Sequence, residues 1–144
     1  MEIDELKRDW LDQDFDEMEF EAKAEEIVDF ATASGETAPR FVDPSHPDFQ
    51  APPTFVTRFH GRRLLPEEFP KLGLPLDAGK AVIQKRPIRA GSRLLGRSHL
   101  HDIYEKTGRS GRMVFLVSRM ELYEDGQLAS IVDSRMVIRE KPTG

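Results

Sequence analysis

Residues 24–35, AEEIVDFATASG, carry the clearest helical pattern in this chain of 144 residues. Their apolar side chains recur at the i, i+3, i+4, i+7 spacing that places them on one face of a helix; these are Ala24, Ile27, Val28 and Ala31. Glu25 and Glu26 lie in the first turn, where acidic groups interact favourably with the helix dipole. Gly35 suits a left-handed C-cap. The pattern predicts a helix over residues 24–34.

Downstream, four long extended patterns fill the second half of the chain. They cover residues 80–88, 92–106, 112–123 and 127–140. Asp125 and Gly126, between the last two, tolerate the positive φ angles of a two-residue type I′ hairpin. We therefore predict an antiparallel meander, with the even-numbered positions of its last strand facing the core. A helix followed by such strands indicates an α+β domain in which a sheet wraps a helix.

The segment before the helix contains two weaker patterns. Ile3, Leu6 and Trp10 have helical spacing. They predict a short amphipathic helix that packs on the chain's own core or on a second copy, or docks to a different subunit. Residues 14–20 alternate, although apolar and acidic side chains mix on both faces, and are predicted as a strand. We assign residues 1–13 to an acidic amphipathic extension and residues 14–144 to one domain.

Prolines separate the helix from the strands. Five prolines lie between residues 39 and 53 and prevent regular hydrogen bonding, so this segment is either an ordered, turn-rich loop or a flexible one. Residues 54–64 are predicted to form a second helix, and residues 66–79 a further loop.

Composition restricts the class of protein. With 38% hydrophobic and 33% charged residues, the chain fits one globular domain. Its net charge of -5 argues against nucleic-acid binding, which usually needs a basic face. It has no cysteine, which excludes disulfides, thiolate catalysis and Cys-rich zinc modules. It also has no apolar run long enough to span a membrane and an acidic N-terminus, so we expect a cytoplasmic protein.

Residues 34–41, SGETAPRF, run from the predicted helix end into the proline-rich loop. They resemble the hydratase motif of MaoC-like hot-dog proteins, whose family form reads Gly-Asp-x-Asn-Pro-x-His. Gly35 and Pro39 match that frame. Glu36 stands at the Asp position, Ala38 at the Asn position and Phe41 at the His position. The acid-base pair of the motif is therefore replaced.

Other segments extend the resemblance over roughly residues 14–140. In family order they are AEEIVDFA (24–31), APPTF (51–55), KRPIRAG (85–91), GRSGRMVF (108–115) and the hairpin at 124–126. The chain resembles the N-terminal-type MaoC-like dehydratase domain, which is related to the dehydratase region of fungal-type fatty acid synthase. The resemblance implies an α+β hot-dog fold, an antiparallel β-sheet wrapped around a central α-helix.

The resemblance also implies a class of substrate. Family members bind acyl thioesters of coenzyme A or acyl carrier protein in a tunnel between two hot-dog domains that form one continuous sheet. Catalytic members use the motif's Asp and His to add water across an enoyl double bond, or to reverse that step. A dimer is implied, with the thioester carrier as substrate and no separate cofactor. The candidate substrate-binding residues are Phe41, Pro53, Thr54, Phe55, Arg109 and Arg112. Basic residues cluster at Arg109 and Arg112 and at Arg58, Arg62 and Arg63. Such guanidinium groups either hold the phosphates of coenzyme A or are solvated loop charges.

Catalysis by this chain alone depends on Glu36, the only titratable side chain at either position of the pair. It can in principle act as a general base, but Phe41 transfers no proton, and a carboxylate displaced by about 1 Å can cost about 100-fold in rate. We expect a substrate-binding, non-catalytic subunit of an (R)-specific enoyl-CoA hydratase or 3-hydroxyacyl thioester dehydratase, paired with a catalytic MaoC-like domain. The alternatives are a homodimeric acyl-CoA-binding module and an acyl-CoA thioesterase that uses Glu36 as base.

The four histidines are candidates for the missing proton-transfer group of the motif and for metal ligands. His46, in the proline loop, and His60 are expected at the surface. His99 and His101 are two apart on a predicted strand and so share a face. That spacing can bind a metal, but two histidines without further ligands rarely do. We therefore predict no metal.

Overall fold

The computed structural model describes residues 1–109 and 111–140 and contains one antiparallel sheet with its helices. The helices are α1 (Ile3–Trp10), α2 (Ala24–Ala33), the single turn α3 (Pro39–Val42) and a 3-10 helix (Pro53–Arg58). The strands are β1 (Asp14–Glu21), β2 (Pro75–Gln84), β3 (Arg93–Gly108), β4 (Gly111–Glu124) and β5 (Gln127–Arg139). They are ordered β1-β3-β4-β5-β2. This arrangement confirms the predicted α+β class.

One face of the sheet carries the core, which has two adjoining parts. Around α2, Ile27 and the 3-10 helix residue Phe55 pack with Leu94 and Leu122. Around α1, the fully buried Leu6 packs with a group of strand residues; these are Leu100, Ile103, Val114, Leu116, Met136 and Ile138. The predicted N-terminal helix therefore packs on the chain's own sheet.

Local sequence patterns located most elements. Asp125 and Gly126 have φ angles of 50° and 79°, as a type I′ turn requires. The predicted strand at 14–20 is β1, and α2 ends one residue before the prediction. In β5 the even-numbered face is the more buried. Ala129 and Ile131, on the odd-numbered face, are buried as well. The segment after β2 lies against this part of β5, where the amides of Lys85 and Arg86 both donate to the carbonyl of Ala129.

Two predicted boundaries were wrong. The helix over residues 54–64 is only the 3-10 helix Pro53–Arg58. Beyond it the chain turns against β1, where the Arg62 amide donates to the Asp16 carboxylate at 2.7 Å and a Cβ on Gly61 would lie 2.6 Å from the same carboxylate. The first strand of the meander runs over Pro75–Gln84 rather than 80–88. A bulge between Asp77 and Lys80 divides it.

Within the described ranges, the helices are all too short or too polar to cross a membrane.

Candidate functional site

The motif loop starts at a tightly bonded helix end. The Glu36 amide donates to the Ala31 carbonyl at 2.9 Å, and the Gly35 amide donates to the Thr32 carbonyl at 3.1 Å. These two bonds form a Schellman motif, which needs a left-handed residue at its turn. Gly35 supplies it with φ 82°. The backbone leaving α2, and with it the position of Glu36, is therefore defined by hydrogen bonds.

The next part of the motif is the single turn α3. Ala38 is its N-cap residue and Pro39 its first residue, which suits proline because that amide needs no intrahelical acceptor. Phe41 is buried, with 8% of its surface exposed, and the Arg40 guanidinium lies 4.6 Å from the ring centroid. The Gln50 amide donates to the Arg40 carbonyl at 2.8 Å. The motif frame is thus ordered around an aromatic side chain at the His position.

The rest of the proline-rich segment is also ordered, by side-chain hydrogen bonds. The hydroxyl and the amide of Ser45 both donate to the Asp43 carboxylate, and these two bonds lower the pKa of Asp43. Arg89 donates to the Phe49 carbonyl at 3.2 Å and to the Asp48 carboxylate at 3.0 Å. Of the two alternatives for residues 39–53, the structure contains the ordered loop.

The proton-transfer chemistry of this loop is limited. Glu36 is partly buried and carries the carboxylate of the motif. Phe41 has no proton to exchange. His46 lies farther along the same loop, but its Nδ1 accepts the Asp48 amide at 3.0 Å, which ties the imidazole to its own turn. Of the two proton-transfer positions of the family motif, one holds a carboxylate and the other a phenyl ring, so the two-residue proton relay is incomplete here.

Three of the predicted binding residues are consecutive in the 3-10 helix. Pro53 and Thr54 are exposed. Phe55 is fully buried and makes edge contacts with Phe30 and Phe59 at centroid distances of 5.7 and 5.4 Å. In the isolated chain Phe55 is therefore part of the core beneath the site.

The two predicted phosphate ligands lie elsewhere. Arg109 is exposed in the β3–β4 turn. Arg112 pairs with Glu105 and Glu140; burial opposes its charge, but these carboxylates outweigh that effect and raise its pKa. Arg112 and Leu122, which packs near Phe55, are ten positions apart in β4, and a strand covers about 33 Å over ten positions. Within one chain the structure does not bring the arginines together with Phe41 and Phe55.

A groove of about 510 Å³ lies between residues 60–64 and strands β2 and β5. Leu64, Leu76 and Met136 supply apolar lining. The charged lining comes from Asp77 and from Arg62, Arg63, Lys80 and Arg135, so it is mainly cationic. The adjacent pair Arg62 and Arg63 was visible in the sequence, but Lys80 and Arg135 were not, because sheet pairing brings them there. Apolar walls with a basic rim suit an anionic, partly apolar ligand.

Comparison with known proteins identifies the family. The family described as the FAS1-like dehydratase domain region matches residues 10–131. A UPF0336 protein of Streptomyces coelicolor is 36% identical over 101 residues, which cover 62% of this chain and 67% of that protein. The chain therefore belongs to the FAS1-like dehydratase domain region family, and the predicted MaoC-like hot-dog relationship is confirmed.

Solved structures agree on the fold. A MaoC-like dehydratase from Phytophthora capsici superposes with a TM-score of 0.72 at 17% identity, covering 96% of this chain and 50% of that one. A chain of the HadBC (3R-hydroxyacyl-ACP dehydratase) complex from Mycobacterium tuberculosis superposes with a TM-score of 0.61 at 22% identity, covering 88% and 99%. The sheet and central helix are thus those of a hot-dog domain.

The N-cap of α3 gives a test of the motif geometry. Asparagine is a strong N-cap residue and alanine a poor one. In Ala38→Asn the new side-chain oxygen should accept a hydrogen bond from the Arg40 amide and stabilise the protein by about 1 kcal/mol. Thr37→Asn, one position earlier and exposed, is the matched control and should change the free energy of unfolding by less than about 0.5 kcal/mol. Urea denaturation measures both. An Ala38→Asn variant no more stable than Thr37→Asn would contradict the assigned cap.

Proposed function

We propose that this chain is the substrate-binding, non-catalytic hot-dog subunit of an (R)-specific enoyl-thioester hydratase or 3-hydroxyacyl-thioester dehydratase. Its partner is a MaoC-like domain that supplies the acid-base pair. The observation that carries this proposal is the motif loop, which keeps the ordered backbone around Gly35 and Pro39 while Phe41 occupies the His position. A motif loop that keeps its backbone geometry but lacks the acid-base pair of the family motif fits a role in shaping a ligand site.

The packing of Phe41 supports a structural or lining role for that side chain. A buried aromatic ring contributes apolar surface and excludes water. The neighbouring carboxylate, Glu36, has no proton-transfer partner at the Phe41 position. Because water activation in the family motif uses two groups acting together, loss of one costs about 100- to 10,000-fold.

The two edges of the sheet differ in a way that supports a partner on one side. On β1 the exposed residues are acidic, namely Asp14, Glu17, Glu19 and Glu21, and charged edges disfavour strand pairing. On and beside β2, the exposed residues include Leu74, Leu76 and Ile83, with 78, 54 and 44% of their surface accessible. Among the described residues, β2 pairs only with β5. Asp77 and Lys80 are exposed at the bulge of β2, but residues 81–84 beyond it carry no charge, and this stretch of the edge favours addition of another strand.

The related structures fit this arrangement. The HadBC dehydratase is a complex of subunits, and the Phytophthora capsici dehydratase chain is about twice the length covered by this one. The basic rim of the groove beside β2 suits the phosphates of a coenzyme A or acyl-carrier thioester, since guanidinium groups bind phosphate oxygens in bidentate geometry. A partner strand added to β2 and an acyl carrier bound in the groove beside β2 would therefore lie next to each other.

The catalytic part of the proposal is tested with the purified chain alone and a crotonyl thioester. We expect hydration at least about 100-fold slower than that of a hydratase with an intact Asp and His, because one member of the proton relay is absent. Glu36→Gln should leave the residual rate unchanged within about twofold, since a lone carboxylate contributes little without its partner.

Robust turnover that Glu36→Gln abolishes would refute the non-catalytic assignment. Thiol release from a saturated acyl-CoA, also lost in Glu36→Gln, would identify the chain as a thioesterase with Glu36 as base. Ala38→Gly, which changes the same loop without touching a carboxylate, controls for disturbance of the backbone.

The edge-strand part is tested by self-association of the chain without its partner. An uncovered apolar edge should drive self-association at micromolar concentration, and Ile83→Lys should shift the protein towards monomer by about 10-fold or more in dissociation constant. Glu19→Lys places the same side chain on the other edge and should leave the association unchanged. Sedimentation velocity measures all three proteins. A monomeric wild type, or equal effects of the two substitutions, would contradict the proposed edge; a tight dimer that binds acyl-CoA without a partner would favour the homodimeric alternative.

A further inference from the structure

Two histidines of β3 and an aspartate from the segment after α1 lie close together. They are at the edge of the sheet, on the side away from the core. Asp12, His99 and His101 each offer a ligand atom, and the three atoms lie within 4.8 Å of one another. We propose that these residues bind a divalent transition-metal ion of the zinc class. This inference is independent of the hydratase proposal.

The position of Asp12 is determined by backbone pairing with β3. Leu6 packs α1 against the core that contains Leu100. Leu11, the first residue after α1, forms a parallel bridge with Leu100. The Asp12 amide then donates to the Leu100 carbonyl at 2.9 Å. Leu100 lies between the two histidines in sequence, so this bond places the Asp12 carboxylate beside both imidazoles.

A bulge in β3 brings the two imidazoles into a suitable arrangement. The register with β4 shifts between Leu100 and Asp102, which makes His101 the extra residue. The rings of His99 and His101 are 5.6 Å apart and inclined at 69°, an edge-on geometry. The His99 side chain is only 12% exposed, whereas Asp12 and His101 are exposed. One ligand is therefore held rigidly and two can adjust.

Further carboxylates surround His99. Its Nδ1 lies 3.6 Å from Glu121 Oε1 and 4.0 Å from Asp14 Oδ1. The other oxygen of Glu121 accepts the Tyr123 hydroxyl at 3.1 Å. A carboxylate so placed can complete the coordination as a fourth ligand or accept the ring N–H of a metal-bound histidine, and both arrangements are common in zinc sites.

The charge of the neighbourhood favours a cation. Arg119 and Arg97 are the cationic side chains nearby on β4 and β3, and each is already paired, with Asp133 at 2.8 Å and with Glu17 at 3.1 Å. Asp12, Asp14 and Glu121 therefore leave an excess of negative charge around the imidazoles. Zinc–nitrogen bonds of about 2.0–2.1 Å place tetrahedral ligands about 3.4 Å apart, so the ligand atoms must approach one another by up to about 1.4 Å, mainly through movement of the exposed ones.

On sequence alone the two histidines lack further ligands, and for that reason no metal is predicted. The fold removes that reason, because Asp12, Asp14 and Glu121 reach the site from other elements. A bound ion would also link Asp12, two residues after the end of α1, to β3. Its expected effect is to hold the N-terminal helix on the sheet.

The test is titration of the tag-free full-length chain with Zn²⁺ by calorimetry and with Co²⁺ by visible absorption. We expect one saturable site per chain and Co²⁺ d–d bands of a low-symmetry site. His101→Ala and Asp12→Asn should each weaken binding by at least about 10-fold. Asn keeps the shape of Asp and tolerates the positive φ of this position, 59°. His46→Ala removes an imidazole remote in sequence from the site and should change affinity by less than about twofold.

Circular dichroism of each variant shows that a loss of binding is not a loss of folding. Absence of saturable binding by the wild type would overturn the proposal. So would Asp12→Asn binding as tightly as the wild type, or His46→Ala weakening binding as much as His101→Ala, since either result would place the ion elsewhere.

Discussion

Burial of the apolar face of α2 against the sheet positions the rest of the molecule. Ile27 and Phe55 pack on Leu94 and Leu122, so the end of α2 and the start of the motif loop have a fixed place over the strands. The Schellman motif at Gly35 then sets the direction of the chain into α3. If this packing were lost, the loop, the 3-10 helix and the groove beside β2 would lose their common support.

Local patterns in the sequence were sufficient to predict the helices and turns that are stabilised by local interactions. The helical spacing of α2 and the Asp125–Gly126 turn are determined by residues a few positions apart, and both were predicted. The second helix was predicted too long, because the chain beyond Arg58 makes contacts with a different strand, such as the hydrogen bond from the Arg62 amide to Asp16. The hydratase frame was recognisable because its residues are contiguous.

The site itself was only partly predictable for the same reason. Phe41 and Glu36 could be placed in the motif from the sequence. The separation of Arg112 from Phe55 follows from the sheet register, which no local pattern shows. The sheet register also brings Lys80 and Arg135 to the groove. The gathering of Asp12 beside His99 and His101 needed the pairing of the N-terminal segment with β3. Ligand sets drawn from distant elements have no signature in a single sequence.

We propose a site shared with a partner because this hot-dog domain has an ordered motif loop, an aromatic ring at the His position and an apolar stretch on one edge strand. The most direct measurement is crotonyl-thioester hydration by a complex of this chain with the MaoC-like partner that we propose for it. The proposed pairing predicts that replacing the partner's motif histidine lowers the rate by about 100-fold or more, while Glu36→Gln in this chain changes it by less than about twofold. A rate that falls with Glu36→Gln and survives loss of the partner's histidine would contradict it.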